Sequence, residues 1–123
     1  MNHKTILAIE DSADTRLLLR QALKAEGYET LMASSGPEAL QILREKALPD
    51  LILLDLSLPE MTGADFMKTL RENAEWMQIK VIIVSGWENL RTKALEIGAN
   101  GAIRKPFGLN ELYDELEKQL ASY

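Results

Sequence analysis

The chain contains no cysteine. Disulfides, thiolate metal ligands and a cysteine nucleophile are therefore excluded, and the composition fits a reducing compartment. Histidine is nearly absent too. His3 is the only one, and so close to the N-terminus it reads as a solvated side chain rather than a catalytic base or phosphodonor. Positive charge is in the minority: 14 Lys and Arg against 19 Asp and Glu leave a net charge of −5. That balance works against a surface tracking nucleic-acid phosphates and against an anionic membrane face. No long hydrophobic run occurs. The first apolar stretch is broken by Glu10 and Asp11, so neither a membrane span nor a secretory leader is expected. Low-complexity tracts, Pro/Gly-rich linkers and internal repeats are missing as well. With 123 residues, the expectation is one cytoplasmic domain, residues 1–123, with no direct nucleic-acid or membrane partner.

What the chain does contain is an alternation of two kinds of segment. Short apolar runs occur at Thr5 to Ile9, Thr30 to Ala33, Leu51 to Leu54, Val81 to Val84 and Ala102 to Ile103. Stretches with helical spacing lie after each. In the first, Leu19, Ala22 and Leu23 follow i, i+3, i+4, and Gly27 supplies a stop. In the second, Pro37 takes the first helical position and Leu40 and Leu43 form the stripe. The third runs from about Ala64 to Asn73, with Phe66, Met67 and Leu70 inward. The fourth runs from about Glu88 to Ile97 and stops at Gly98; the last puts Leu109, Leu112, Leu116 and Leu120 on one face. The runs Leu51-Ile52-Leu53-Leu54 and Val81-Ile82-Ile83-Val84 have no polar side to show to water. Strands of that kind are buried on both faces, as in parallel sheets covered by helices. Five strand–helix units predict an α/β doubly wound domain, with its functional crevice beyond the carboxyl ends of the strands.

The residues at those ends are Glu10 and Asp11 after the first run, Asp55 after the third, Ser85 after the fourth and Lys105 after the fifth. Any one of them alone reads as a helix cap or a solvated loop residue. Together they form a chemical set. Clustered carboxylates raise one another's pKa, and a divalent cation relieves the repulsion. Oxygen ligands without cysteine point to a hard ion, Mg²⁺ first. Lys105 then serves as a point charge for a phosphoryl oxygen, Ser85 as a hydrogen-bond donor, and an aspartate as the nucleophile that forms an aspartyl phosphate. Positioning and charge neutralisation are most of what such a transfer needs.

Glu10-Asp11, Asp55 followed by Leu58-Pro59-Glu60-Met61-Thr62-Gly63, Ser85-Gly86 and Lys105-Pro106-Phe107 resemble the receiver domain of two-component response regulators, chemotaxis-regulator-like members included. The resemblance spans essentially the whole chain. It implies a flavodoxin-like doubly wound (βα)5 fold with a five-stranded parallel sheet in the order 2-1-3-4-5. By the same resemblance, Asp55 is the phosphoacceptor, and Asp11, Asp55 and the backbone carbonyl of Ser57 are Mg²⁺ ligands. Glu10 is the second acidic residue, acting through water; Ser85 is the switch hydroxyl and Lys105 the phosphoryl-binding lysine. Mn²⁺ is the alternative ion. The Lys105–Pro106 peptide bond is expected to be cis. The implied function is not that of a turnover enzyme. It is a phosphoacceptor that assists its own phosphorylation and dephosphorylation. It takes its phosphoryl group from a histidine kinase or phosphotransfer protein and switches its surface for an output protein or effector domain, as a monomer or weak dimer.

Two features depart from the family. Ala102 stands three residues before the lysine, where an aromatic is usual, and Asn100 and Gly101 replace acidic residues used in one subfamily's dimer contact. Three other readings compete. A flavin binder of the same fold needs a hydroxyl- and Gly-rich phosphate loop where Glu10-Asp11 stands. An aspartate-nucleophile phosphohydrolase typically has a second Asp two residues after the first, where this chain has Ser57. A degenerate receiver serving only for binding is opposed by the filling of all five site positions. Elsewhere, Met32, Met61 and Met67 read as packing residues. Trp76 is expected to cover the core near the fourth strand, while Trp87 lies two residues after Ser85, at the crevice or as a partly exposed loop aromatic. Glu111, Asp114, Glu115 and Glu117 read as a solvated helix face.

Overall fold

The computed structural model describes residues 4–45, 48–58 and 61–121; His3, Pro59 and Glu60 lie outside them. Strands β1 (Thr5–Ile9), β2 (Glu29–Ala33), β3 (Leu51–Asp55), β4 (Lys80–Ser85) and β5 (Gly101–Arg104) form one parallel sheet in the order β2-β1-β3-β4-β5. Helices α1 (Ala13–Ala25), α2 (Gly36–Glu45), α3 (Gly63–Glu72), α4 (Leu90–Ile97) and α5 (Leu109–Leu120) alternate with them, and a 3-10 turn at Ala74–Trp76 precedes β4. This is the flavodoxin-like doubly wound fold that the apolar runs and the family resemblance predict.

Alternate strand residues feed two cores. Leu7, Ile9, Ile52, Leu54, Val81 and Ile83 pack on one face with Leu40, Leu43, Phe66, Met67, Leu70 and Trp76. Ile6, Ala8, Leu51, Leu53, Ile82 and Val84 pack on the other with Leu23, Leu112 and Leu116. Every residue of β3 is buried, as its unbroken apolar run requires. Phe66 is wholly enclosed; truncating such a ring to alanine costs roughly 3–5 kcal/mol.

The helix ends are set by local chemistry. Ser12 caps α1 by accepting from the Thr15 N–H at 3.3 Å, and Thr62 caps α3 by accepting from the Asp65 N–H at 3.0 Å. Gly98 closes α4 at φ +83°, a conformation that suits glycine. At the amino ends of β4 and β5, Asn100 Oδ1 accepts from the Val81 N–H at 2.8 Å and from Arg71 at 3.1 Å. The far end of the sheet is thereby tied together, leaving the carboxyl end to the site.

Two expectations need correction and one needs refinement. Helix α4 starts at Leu90 rather than Glu88, because Asn89 adopts φ 57° and makes no side-chain cap, so Gly86-Trp87-Glu88 remains loop. Leu109 shares the face of Leu112 and Leu116 and borders the same hollow as Leu112, but as the first residue of α5 it is 55% exposed, whereas Leu112 and Leu116 are buried. Glu115 is not on the solvated face, being only 7% exposed. It lies three residues after Leu112, on the side of α5 turned to β5, and Gly101 makes room for it. A Cβ at Gly101 would collide with Glu115 Oε2 and Gln119 Nε2. Glu115 accepts a hydrogen bond from Gln119 at 3.0 Å and lies 3.9 Å from Arg91 of α4.

Candidate functional site

Sheet register assembles the site. Ile9 pairs with Leu54, so Glu10 and Asp55, each the next residue, emerge side by side. Asp55 pairs with Val84, which places Ser85 one step beyond; Ser85 pairs with Arg104, which places Lys105 one step beyond that. The Lys105 N–H donates to the Ser85 carbonyl at 2.8 Å and locks the last two loops together. The Lys105–Pro106 bond is cis, as expected.

Glu10, Asp55 and Ser85 are 5%, 4% and 1% exposed, while Asp11 faces solvent. One carboxylate oxygen each from Glu10, Asp11 and Asp55 lies within 4.8 Å of the others. Lys105 Nζ donates to Asp55 Oδ2 at 2.9 Å and stands 3.8 Å from Glu10 Oε1. The Ser57 N–H donates to Asp55 Oδ1 at 2.8 Å, and the Ser12 N–H to Glu10 Oε2 at 3.0 Å.

These contacts separate the titration of two neighbouring carboxyls. Burial, then the proximity of Asp55, pushes Glu10 up to about 7. Burial also acts on Asp55, but the proton on Glu10, the Ser57 N–H and the Lys105 ammonium outweigh it and hold Asp55 below the usual carboxylate range. Lys105 loses hydration, yet its bond to Asp55 and the charge of Glu10 keep it protonated above its ordinary range. Near neutral pH the site therefore holds an ionised Asp55 beside a Glu10 that readily gives up or takes a proton.

Most of the predicted set is brought together: Glu10, Asp11, Asp55 and Lys105 form one cluster, with the Ser57 backbone against Asp55. Ser85 borders it, and its hydroxyl oxygen accepts from the Trp87 N–H at 3.2 Å. The Trp87 ring is 53% exposed, with Lys93 Nζ 5.6 Å from its centre. Three carboxylate oxygens, without nitrogen or sulfur donors, suit a hard divalent cation such as Mg²⁺. One contributor escapes sequence reasoning. Arg16, in the first turn of α1, donates from Nη1 to the main-chain carbonyls of Glu10 at 2.8 Å and Asp11 at 3.0 Å. Its only sequence signal is a basic residue five positions after the acidic pair.

The sequence matches the response regulator receiver domain family over residues 6–117. The chain belongs to that family. It is 34% identical to sporulation initiation phosphotransferase F of Bacillus subtilis (strain 168), over 98% of this chain and 95% of that protein. It is 33% identical to the polar-differentiation response regulator DivK of Brucella ovis, over 95% of this chain and 96% of the relative. Its fold superposes on the chemotaxis response regulator CheY4 of Vibrio cholerae with a TM-score of 0.90 at 29% identity, covering 97% of this chain and all of the other. The receiver is thus a phosphoacceptor of two-component signalling. Among the described residues, no helix is long and apolar enough to cross a membrane.

Proposed function

We propose that this receiver, a single domain over residues 1–123, carries its phosphoryl group on Asp55. The donor is a phosphohistidine of a histidine kinase or phosphotransfer protein. A carboxylate oxygen of Asp55 attacks phosphorus, the P–N bond to the imidazole breaks, and an acyl phosphate forms while the imidazole takes up a proton. The observation that carries this reading is a buried Asp55 with Lys105 at 2.9 Å and the Glu10 and Asp11 carboxylates beside it. Asp11, Asp55 and the Ser57 carbonyl, with Glu10 acting through water, would hold Mg²⁺, with Mn²⁺ as a substitute. The cation supplies positive charge to the phosphoryl oxygens and offsets the carboxylate repulsion. Lys105, 2.9 Å from Asp55, would bind a phosphoryl oxygen. The same residues promote both gain and loss of the phosphoryl group. The setting is the cytoplasm.

The donor docks on the surface continuous with the site. Leu17, Leu18 and Leu109 are exposed. Leu18 and Leu109 border a hollow of about 550 Å³ between α1 and α5, floored by Leu19, Ala22, Phe107 and Leu112. Leu19, Phe107 and Leu112 also border a small cleft that reaches Asp55 and Lys105. An apolar helical surface presenting a phosphohistidine fits this placement. Output passes through α4: Ala102, where the family usually has an aromatic, floors a hollow of about 640 Å³ between α4, β5 and α5, which leaves the Gly86-Trp87-Glu88 loop and the helix after it to respond.

The test is labelling by a small phosphodonor such as acetyl phosphate. Stoichiometric, Mg²⁺-dependent formation of an acyl phosphate supports the reading. Rapid multiple turnover would identify a phosphohydrolase, and no labelling in any divalent cation would identify a module that only binds.

A further inference from the structure

Arg16 poses a problem of sign. A cation beside a cation-binding site weakens it by simple repulsion. Yet Arg16 is placed against this one, and not against its carboxylates. Nη1 donates to the backbone oxygens of Glu10 and Asp11, at 2.8 and 3.0 Å. The α1 backbone is anchored independently, by the Ser12 cap on Thr15 and by the Arg16 N–H donating to the Ser12 carbonyl at 2.9 Å. The guanidinium therefore does not hold the helix; it holds the loop.

We propose that Arg16 is a positioning residue for the divalent-cation site. Drawing both carbonyls to its side, it fixes the peptide planes of Glu10 and Asp11 so that their carboxylates turn toward Asp55. The inference rests on the cation site proposed above. Asp11 is exposed, and its carboxylate shares a hydrogen bond with the neighbouring Glu10 rather than with a fixed element, so the backbone of these two residues sets where both carboxylates point. The Ser12 N–H on Glu10 Oε2 restrains one carboxylate, and Arg16 supplies the restraint common to both residues. Outer groups that orient metal ligands typically matter 10- to 100-fold in metal affinity.

The two roles open to Arg16 predict opposite signs, which makes the experiment decisive. Mg²⁺ alone is titrated into the native protein and into Arg16→Met, which keeps the aliphatic stem and removes the donors. Affinity is read from the rise of the melting temperature with Mg²⁺ concentration, and circular dichroism and the metal-free melt report on the fold. Positioning predicts a folded variant with Mg²⁺ affinity lower by roughly 10-fold or more, and with Arg16→Lys, which returns a charged donor, falling between the two. Equal or tighter binding by Arg16→Met makes Arg16 a bystander charge and overturns the proposal. If Arg16→Met does not fold, Arg16→Gln is read in the same way, and failure of both to fold overturns it in favour of a fold role. Failure of the native protein to bind Mg²⁺ contradicts the site itself and removes this proposal with it; native binding that is merely indifferent to Arg16 contradicts this proposal alone.

Discussion

Lys105 reaches back to Asp55 across fifty positions of the chain, Nζ to Oδ2 at 2.9 Å. Without bound cation, this pair is the chief neutralisation of the acidic cluster. Lys105→Ala should lower the metal-free melting temperature by the equivalent of roughly 1–2 kcal/mol, less than a fully buried pair because the lysine is partly exposed. Mg²⁺ should still bind, as tightly or more tightly, since a competitor for Asp55 is gone. Phosphorylation by acetyl phosphate should slow sharply. A variant that melts normally, or that loses Mg²⁺ binding, contradicts the role given to Lys105.

Glu10 makes the site sensitive to pH. Its folded value of about 7 lies above the ordinary 4.5, so between those limits the folded protein binds more protons than the unfolded chain. Stability of the metal-free protein should therefore rise as pH falls from about 7 toward 4.5. Asp55, whose pKa is depressed, gives up its own stabilisation only at lower pH and does not cancel the gain. Glu10→Gln should flatten the profile in this window. Mg²⁺ competes with the proton, so its affinity should climb with pH through about 7. Melts at a series of pH values with Glu10→Gln as control check both statements; a native profile that falls with acidification over this range counts against them.

Gly101 makes room for the buried Glu115. Gly101→Ala forces its Cβ against Glu115 Oε2 and the Gln119 amide, so it should destabilise the fold by about 1–3 kcal/mol in chemical denaturation. Gly86→Ala meets nothing nearby and should cost far less. Equal effects of the two would mean that α5 adjusts freely.

The Ser85 hydroxyl is engaged with the Trp87 N–H before any phosphoryl group arrives. If Ser85 turns to a phosphoryl oxygen, that bond breaks, and the 86–88 loop with it. Beryllofluoride, a phosphoryl mimic, should change hydrogen exchange across Gly86 to Ile97, and the change should shrink in Trp87→Ala, which loses the Lys93–ring contact. An identical response in native and variant protein removes Trp87 from the coupling.

Much of this was legible in the residues because period and position carried it. The unbroken runs of β3 and β4 announce strands buried on both faces, and in a parallel sheet the residues after such runs must share one edge. Glu10, Asp55, Ser85 and Lys105 were found for that reason. Leu109 keeps the apolar period of α5, but as the first residue of the helix it stands at the mouth of the α1–α5 hollow and stays exposed. The burial of Glu115 is not legible in its own helix because it depends on a missing side chain at Gly101, on another element. Arg16 is not legible because the oxygens it holds are main-chain ones, which leave no mark in the sequence. Asn89 delays α4 by a left-handed backbone conformation that an asparagine permits but does not announce.

If Asp55 is the acceptor, mapping the phosphoryl group will find it there. The native protein is treated with acetyl phosphate and Mg²⁺, the acyl phosphate is trapped by reduction, and the modified residue is located by peptide mass spectrometry. Modification is expected at Asp55, lost when Mg²⁺ is chelated, and absent in Asp55→Asn. Undiminished labelling of Asp55→Asn, or a native modification mapped to Asp11 or Glu10, contradicts that assignment.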